Sequence, residues 1–227
     1  MKIGILGTGE VGRALAPALH DAGNDVVVGT RNPDATRRDN DALREVLDAR
    51  PGLRLSTFPD AAAQADIIVN ALPGPLCVDI LKTLSKAVGR RILMDISSPF
   101  DGKADTAVLA PVNTDSLGEQ IQRALPRARV VKTLNTMAAE LMSNPDATRH
   151  LDQTVFTSGD DPDAKQAVAA VLRQLGWHDV LDLGPIHTAR APEMLLRMWI
   201  DVYKALDTDH FGFKIVRNDH PRTGHAG

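Results

Sequence analysis

Gly7-Thr8-Gly9-Glu10-Val11-Gly12 follows at once on the apolar run Lys2 to Leu6, and glycines at this spacing leave the chain few ways to continue. The pattern G-x-G-x-x-G suits a tight turn that carries a strand straight into a helix. Gly7 permits the turn, Gly9 lets backbone approach a ligand, and Gly12 lets the helix pack close to the sheet. Free amides at a helix start, with the positive end of the helix dipole, make an anion site. The spacing therefore predicts a β-α-β unit whose first turn cradles a pyrophosphate. A tight turn without any ligand is the simpler alternative.

The rest of the chain repeats this alternation. Short apolar, β-rich runs are expected as strands at Lys2 to Leu6, Asp25 to Gly29, Leu53 to Phe58, Asp66 to Ala71, Arg91 to Ile96, Arg129 to Leu134, Gln153 to Ser158 and His178 to Leu183. Most are apolar on both faces, as parallel strands covered by helices require. Helical spacing appears in Val11 to Ala22, Pro75 to Val88, Ser116 to Leu125, Ala164 to Gly176 and Ala191 to Leu206. The expectation is an α/β fold, a Rossmann-type, doubly wound, mainly parallel sheet with a small carboxyl-terminal α/β or helical domain. Residues 1–150 would form the nucleotide-binding domain, 151–217 the small domain serving the acceptor or dimerisation, and 218–227 a mobile tail. Ser116-Leu117-Gly118-Glu119 has the form of a capping box. The stripe Met194, Leu195, Met198, Trp199, Val202 and Leu206 reads as core or as an oligomer face.

Composition narrows the class. The 227 residues carry 43% hydrophobic and 24% charged side chains, enough for a core and too apolar for disorder. Lys and Arg number 26 against 29 Asp and Glu, a net charge of -3, so no global positive field favours nucleic acid. The single cysteine, Cys77, cannot close an internal disulfide. A membrane span needs about 20 uninterrupted apolar residues, whereas Ile67 to Val78 is cut by Asn70, Pro73, Gly74 and Pro75. A cytoplasmic protein without a membrane partner is expected. His220 and His225 read as solvated, and no metal site is expected, because no further ligands accompany them.

The tip of the second strand bears on the choice of nucleotide. An NAD site sets Asp or Glu there to bind the ribose hydroxyls, but Val26-Val27-Val28 runs into Gly29-Thr30-Arg31-Asn32. Thr30 and Arg31 can donate to a 2'-phosphate that a carboxylate would repel, so NADP(H) is favoured. Arg37 and Arg38 add positive potential, or simply form a solvated helix face. Beyond other strand ends lie Leu72-Pro73-Gly74-Pro75, Ser97-Ser98-Pro99 and Asn135-Thr136-Met137, small loops suited to a flat ring. Placed acids and bases are scarce. Tyr203 falls in the late helix, Lys132 reads as structural, and His187 is a lone candidate proton donor. The inventory points to no catalytic side chain and to hydride passing directly between stacked redox groups.

These segments, with Asp95-Ile96-Ser97-Ser98-Pro99, Val131-Lys132-Thr133-Leu134-Asn135-Thr136 and Phe211-Gly212-Phe213-Lys214-Ile215-Val216-Arg217, resemble coenzyme F420-dependent NADP oxidoreductases. The reductase domain of the transmembrane metalloreductases is similar in its first part. The resemblance implies NADP(H) held by Gly7, Thr8, Gly9, Glu10, Val11 and Gly12, with Thr30 and Arg31 at the 2'-phosphate. It implies Leu72, Pro73 and Met137 at the nicotinamide end, and Ser97, Ser98, Pro99 and Asn135 towards the acceptor, F420 or a flavin. It also implies a homodimer formed through the carboxyl-terminal part. Two features depart from the pattern: Glu10 sets a carboxylate beside the pyrophosphate, and no basic site for the acidic F420 tail is evident. A non-catalytic NADP(H) sensor and a reductase of small carbonyl, imine or ferric substrates are the alternatives.

Overall fold

A computed structural model describes residues 1–100, 108–148 and 152–217. The expected boundary near residue 150 and the tail 218–227, with His220 and His225, lie outside the described residues. The chain runs β1 (Lys2–Leu6), α1 (Glu10–Asp21), β2 (Asp25–Thr30), α2 (Pro33–Asp39), α3 (Asp41–Asp48), β3 (Arg54–Thr57), α4 (Phe58–Gln64) and β4 (Ile67–Asn70). It continues through α5 (Gly74–Thr83), α6 (Ser85–Val88), β5 (Ile92–Asp95), α7 (Leu117–Ala124), β6 (Arg129–Thr133), α8 (Ala139–Ser143), β7 (Thr154–Ser158), α9 (Pro162–Gln174), β8 (Asp179–Asp182) and α10 (Arg190–Leu206).

All eight strands join one sheet in the order β3-β2-β1-β4-β5-β6-β7-β8. The order reverses between β1 and β4, the switch point where a doubly wound sheet opens a crevice. Pairing is parallel except between β6 and β7, where Lys132 faces Ser158. The fold is therefore the expected Rossmann-type sheet, and β7 and β8 extend it beyond the nucleotide-binding half.

Strand period explains the two-sided core. Ile3, Ile5, Val26, Val28, Ile67, Val69 and Met94 pack on one face with α1, α3, α8 and α9. Leu6, Val27, Ile68, Leu93 and Val130 pack on the other with α4, α5 and α7. Because side chains alternate across a strand, a run apolar at every position has to be covered twice.

Several expected elements change at their ends. Phe58, expected as the last strand residue, starts α4, because Thr57 caps that helix by accepting from the Asp60 amide and Pro59 fits the first turn. The expected helix Pro75 to Val88 divides at Leu84 into α5 and α6. The Ser116 hydroxyl oxygen accepts from the Glu119 amide at 3.1 Å, but the capping box is only half formed. Glu119 accepts from the Ser116 hydroxyl and from both arms of Arg190, at 2.8 and 2.6 Å, instead of returning to the Ser116 amide. These bonds to Arg190 hold its carboxyl below the ordinary glutamate range.

Candidate active site

The end of β1 sets the site. Gly7 has φ +130, and a Cβ there would come within 2.4 Å of the Ala71 carbonyl oxygen. A Cβ on Gly12 would lie 2.2 Å from the Gly7 carbonyl oxygen, so α1 can start directly behind the loop only without one. Gly9 differs, since a Cβ on it would enter open space. Its backbone faces a groove and caps α1 with no side chain. By contrast α2, α3, α4, α7 and α9 are capped by Asn32, Asn40, Thr57, Ser116 and Asp161. The amides at the start of α1 thus stay available to an anion. The loop itself is braced, its Thr8 carbonyl accepting from Arg13 at 3.3 Å and from Asn40 Nδ2 at 3.2 Å.

Two adjoining cavities lie along the carboxyl ends of the strands and share Gly9, Ala71, Leu72, Pro73 and Leu76. The first, about 520 Å³, holds Gly7, Thr8, Thr30, Arg31, Asn32, Asp39 and Phe58 in its wall. Arg31 is exposed and makes no ion pair among the described residues. Its neighbours are already neutralised, Arg37 by Asp48 at 2.5 Å and Arg38 by Asp39 at 2.7 Å. The Thr30 and Thr36 hydroxyls lie 2.7 Å apart. An unpaired guanidinium at one end and open helix amides in the middle match the charge pattern of a phosphorylated dinucleotide, so these residues fit NADP.

The second cavity, about 490 Å³, is lined by Glu10, Val11, Pro75, Ile96, Ser97, Ser98, Phe100 and Met142 besides the shared residues. Glu10 is the one titratable side chain among these described residues, and the rest of the wall suits a flat, weakly polar ring. The cavity walls thus bring together Gly7, Thr8, Gly9, Glu10, Val11, Thr30, Arg31, Leu72, Pro73, Ser97 and Ser98. Four sequence candidates lie elsewhere. Gly12 sits behind the loop, Met137 is buried in the core while Met142 reaches the cavity, and the Pro99 carbonyl accepts from the Ala110 amide. Asn135 is buried and its amide donates to the Pro192 carbonyl at 2.8 Å. His187 is exposed on a 3₁₀ turn away from both cavities.

Beneath Ser97 lies a charged cluster that the residue pattern hardly signals. Lys132, one residue before the end of β6, is fully buried with Asp95 and Glu193, its ammonium 2.9 Å from Asp95 Oδ2 and 3.1 Å from Glu193 Oε1. Burial works against the charge, but both carboxylates outweigh it and hold the ammonium above the ordinary lysine range. Glu193 also accepts from the Leu117 and Gly118 amides at 2.7 and 2.9 Å, so a side chain of α10 caps α7. The only signal in the sequence was a lysine inside an otherwise apolar strand. Cys77 lies nearby, its thiol 3.8 Å from the Ser97 hydroxyl, and burial pushes its pKa up to about 12. Among the described residues no cluster of His, Cys, Asp or Glu could hold a metal, and no helix is long and apolar enough to cross a membrane.

Known proteins resemble this chain in sequence and fold. The sequence model of the family "NADP oxidoreductase coenzyme F420-dependent" matches residues 2–99, the glycine loop and Ser97–Ser98 included. A crystal structure from Arthrobacter sp. FB24, described provisionally as an F420-dependent NADP reductase, is 48% identical with a TM-score of 0.91. That match covers 96% of this chain and 100% of the other. The F420-dependent NADP reductase of Methanothermobacter thermautotrophicus is 24% identical over 209 residues, 89% of each chain. Metalloreductase STEAP3 of Rattus norvegicus is 29% identical over 86% of this chain, which spans only 36% of that larger protein. Imine reductases share the fold at 16 to 18% identity. Identity of 48% along a whole solved chain, at a TM-score of 0.91, together with the family model over residues 2–99, makes this protein a member of the coenzyme F420-dependent NADP oxidoreductase family and an NADP-dependent oxidoreductase.

Proposed function

We propose that the protein passes a hydride directly between the nicotinamide of NADP(H) and a planar acceptor, coenzyme F420 or a flavin. The observation that carries this reading is the pairing of the two cavities across Leu72 and Pro73, one ending in the unpaired Arg31 and the other walled by apolar side chains. The amides of Gly9, Glu10 and Val11 receive the pyrophosphate, with Glu10 in the wall of the second cavity. Thr30 and Arg31 take the 2'-phosphate. Leu72 and Pro73 pack at the nicotinamide end, and Ser97, Ser98 and Met142 bound the acceptor. Bound there, NADPH supplies the hydride, and the acceptor ring completes its reduction with a proton from water. The protein contributes alignment and exclusion of water rather than an acid or base.

In this reading residues 1–150 carry the nucleotide, and 151–217 back the acceptor cavity through Leu196 and Ile200, which pack against Phe100. Met194, Met198 and Leu206 remain exposed on α10 and suit a homodimer contact in a cytoplasmic enzyme. The test is anaerobic mixing of the protein with NADPH and either F420 or FMN. Loss of the nicotinamide absorbance with either acceptor supports the reading, and no oxidation with both rejects it. Sedimentation at working concentrations tests the dimer.

A further inference from the structure

Ser97 and Ser98 wall the second cavity, and their peptide group is gripped from the protein interior. The Lys132 ammonium donates to the Ser97 carbonyl oxygen while it also contacts Asp95 and Glu193. Asp95 Oδ1 accepts from the Ser97 amide at 3.2 Å, from the Ser97 hydroxyl at 2.6 Å and from Asn70 Nδ2 at 2.8 Å. Every polar hydrogen of Ser97, and its carbonyl, is thereby engaged inside the protein. On the other side α5 presses close, since a Cβ on Gly74 would come within 1.8 Å of the Ser98 carbonyl oxygen.

This grip fixes a direction. The 97–98 peptide is trans, and in a planar trans peptide the carbonyl and the following N–H point opposite ways. With the Ser97 carbonyl drawn towards buried Lys132, the Ser98 N–H points away from it. Ser98 lines the cavity, and its N–H finds no acceptor among the described residues. Three buried charges are also a poor device for stability alone, because a well-packed apolar replacement commonly serves as well. Besides the cap that Glu193 gives α7, the cluster engages one peptide of the cavity wall, through the Ser97 carbonyl.

Building on the functional reading above, we propose that Lys132 is a positioning residue that turns the Ser98 N–H into the acceptor cavity, where it donates to a carbonyl oxygen or ring nitrogen of the planar acceptor. As the hydride arrives with its electron pair, negative charge gathers on that atom until water delivers the proton. A donor held in place before reaction stabilises such charge most effectively. Nucleotide affinity is set in the other cavity and does not depend on this contact.

The first test uses the native protein labelled with 15N-serine and bound to NADP⁺. Addition of F420 or FMN is expected to shift the Ser98 amide proton downfield. Acceptor binding, seen in the acceptor's own absorbance, without movement of that resonance overturns this inference and leaves the functional reading intact. Failure of both acceptors to bind overturns the two together. The second test is Lys132→Met, for which kcat is expected to fall by up to roughly 100- to 1,000-fold while KM for NADPH and its dissociation constant stay unchanged. Parallel loss of NADPH affinity and kcat would mark a purely structural lysine and sink the proposal. Should this variant not fold, the amide titration of the native chain decides alone.

Discussion

Arg31 stands beyond the end of β2 without a carboxylate partner among the described residues, whereas Arg37 and Arg38 are each spent on an aspartate. A guanidinium already paired gains little from a second anion, so the discrimination between phosphorylated and unphosphorylated dinucleotides is expected to concentrate on Arg31. Arg31→Ala is expected to weaken NADP⁺ relative to NAD⁺ by ~1 to 3 kcal/mol, the value of a hydrogen bond to a charged group. Calorimetry with both dinucleotides checks this, and equal losses would move the phosphate elsewhere. This residue was legible because the strand tip lacked a carboxylate, a local signal. Lys132 was not legible in the same way, because its meaning depends on Asp95 from β5 and Glu193 from α10, brought together only by the fold. Cys77 provides a second expectation at this scale. With its thiol buried and its pKa raised to about 12, alkylation at mildly alkaline pH should proceed only as fast as the protein unfolds. Rapid labelling of the native chain would contradict that.

At the scale of elements, the strands were readable and the short helices were not. Apolar runs such as Ile67-Ile68-Val69 announce a doubly covered strand by themselves. α2 and α3 lack that signal, since α2 buries nothing and α3 only Leu43 and Leu47, and they exist through the caps supplied by Asn32 and Asn40. Their start signals, Asn32-Pro33 among them, were present but resembled an ordinary turn. α7 presents the converse case. Its visible capping motif is half formed, and its first amides are satisfied by Glu193 from α10. Removing that carboxylate leaves the Leu117 and Gly118 amides of α7 without their acceptor and the Lys132 ammonium with Asp95 as its one carboxylate among the described residues. Glu193→Ala is therefore expected to cost about 3 to 5 kcal/mol, as for a broken buried ion pair. Chemical denaturation measures it, and a loss no greater than for a surface carboxylate would show that the cluster bears no load.

Across the whole molecule, the question is what holds the far end of the sheet, where β7 runs against β6 and the two pair over a short register only. The segment 211–217 fills the place that β6 leaves open. The Thr154 amide donates to the Phe213 carbonyl at 2.8 Å, and the Ile215 amide donates to the Thr154 hydroxyl at 3.0 Å. Phe211 stacks on Trp199 with ring centroids 5.4 Å apart, which ties the segment to α10 and hence to Phe100 in the wall of the second cavity. Lys214 and Arg217 close on Asp179 of β8. Burial pushes the Asp179 carboxyl up, but Lys214, the Thr154 hydroxyl and Arg217 outweigh it and hold it below the ordinary aspartate range. A carboxyl whose folded pKa is lowered stabilises above its unfolded pKa, about 3.9, and that contribution disappears as pH falls through the folded value. The segment is thus expected to stay docked at neutral pH and to loosen under acid before the central sheet does. Asp179→Asn should reproduce that loosening at neutral pH, with trypsin cutting after Lys214 and Arg217 well before it attacks the remaining chain. Equal cleavage rates in variant and native protein would mean that the backbone bonds, the aromatic stack and the Lys214–Asp152 pair, rather than the pairs to Asp179, keep the segment in place.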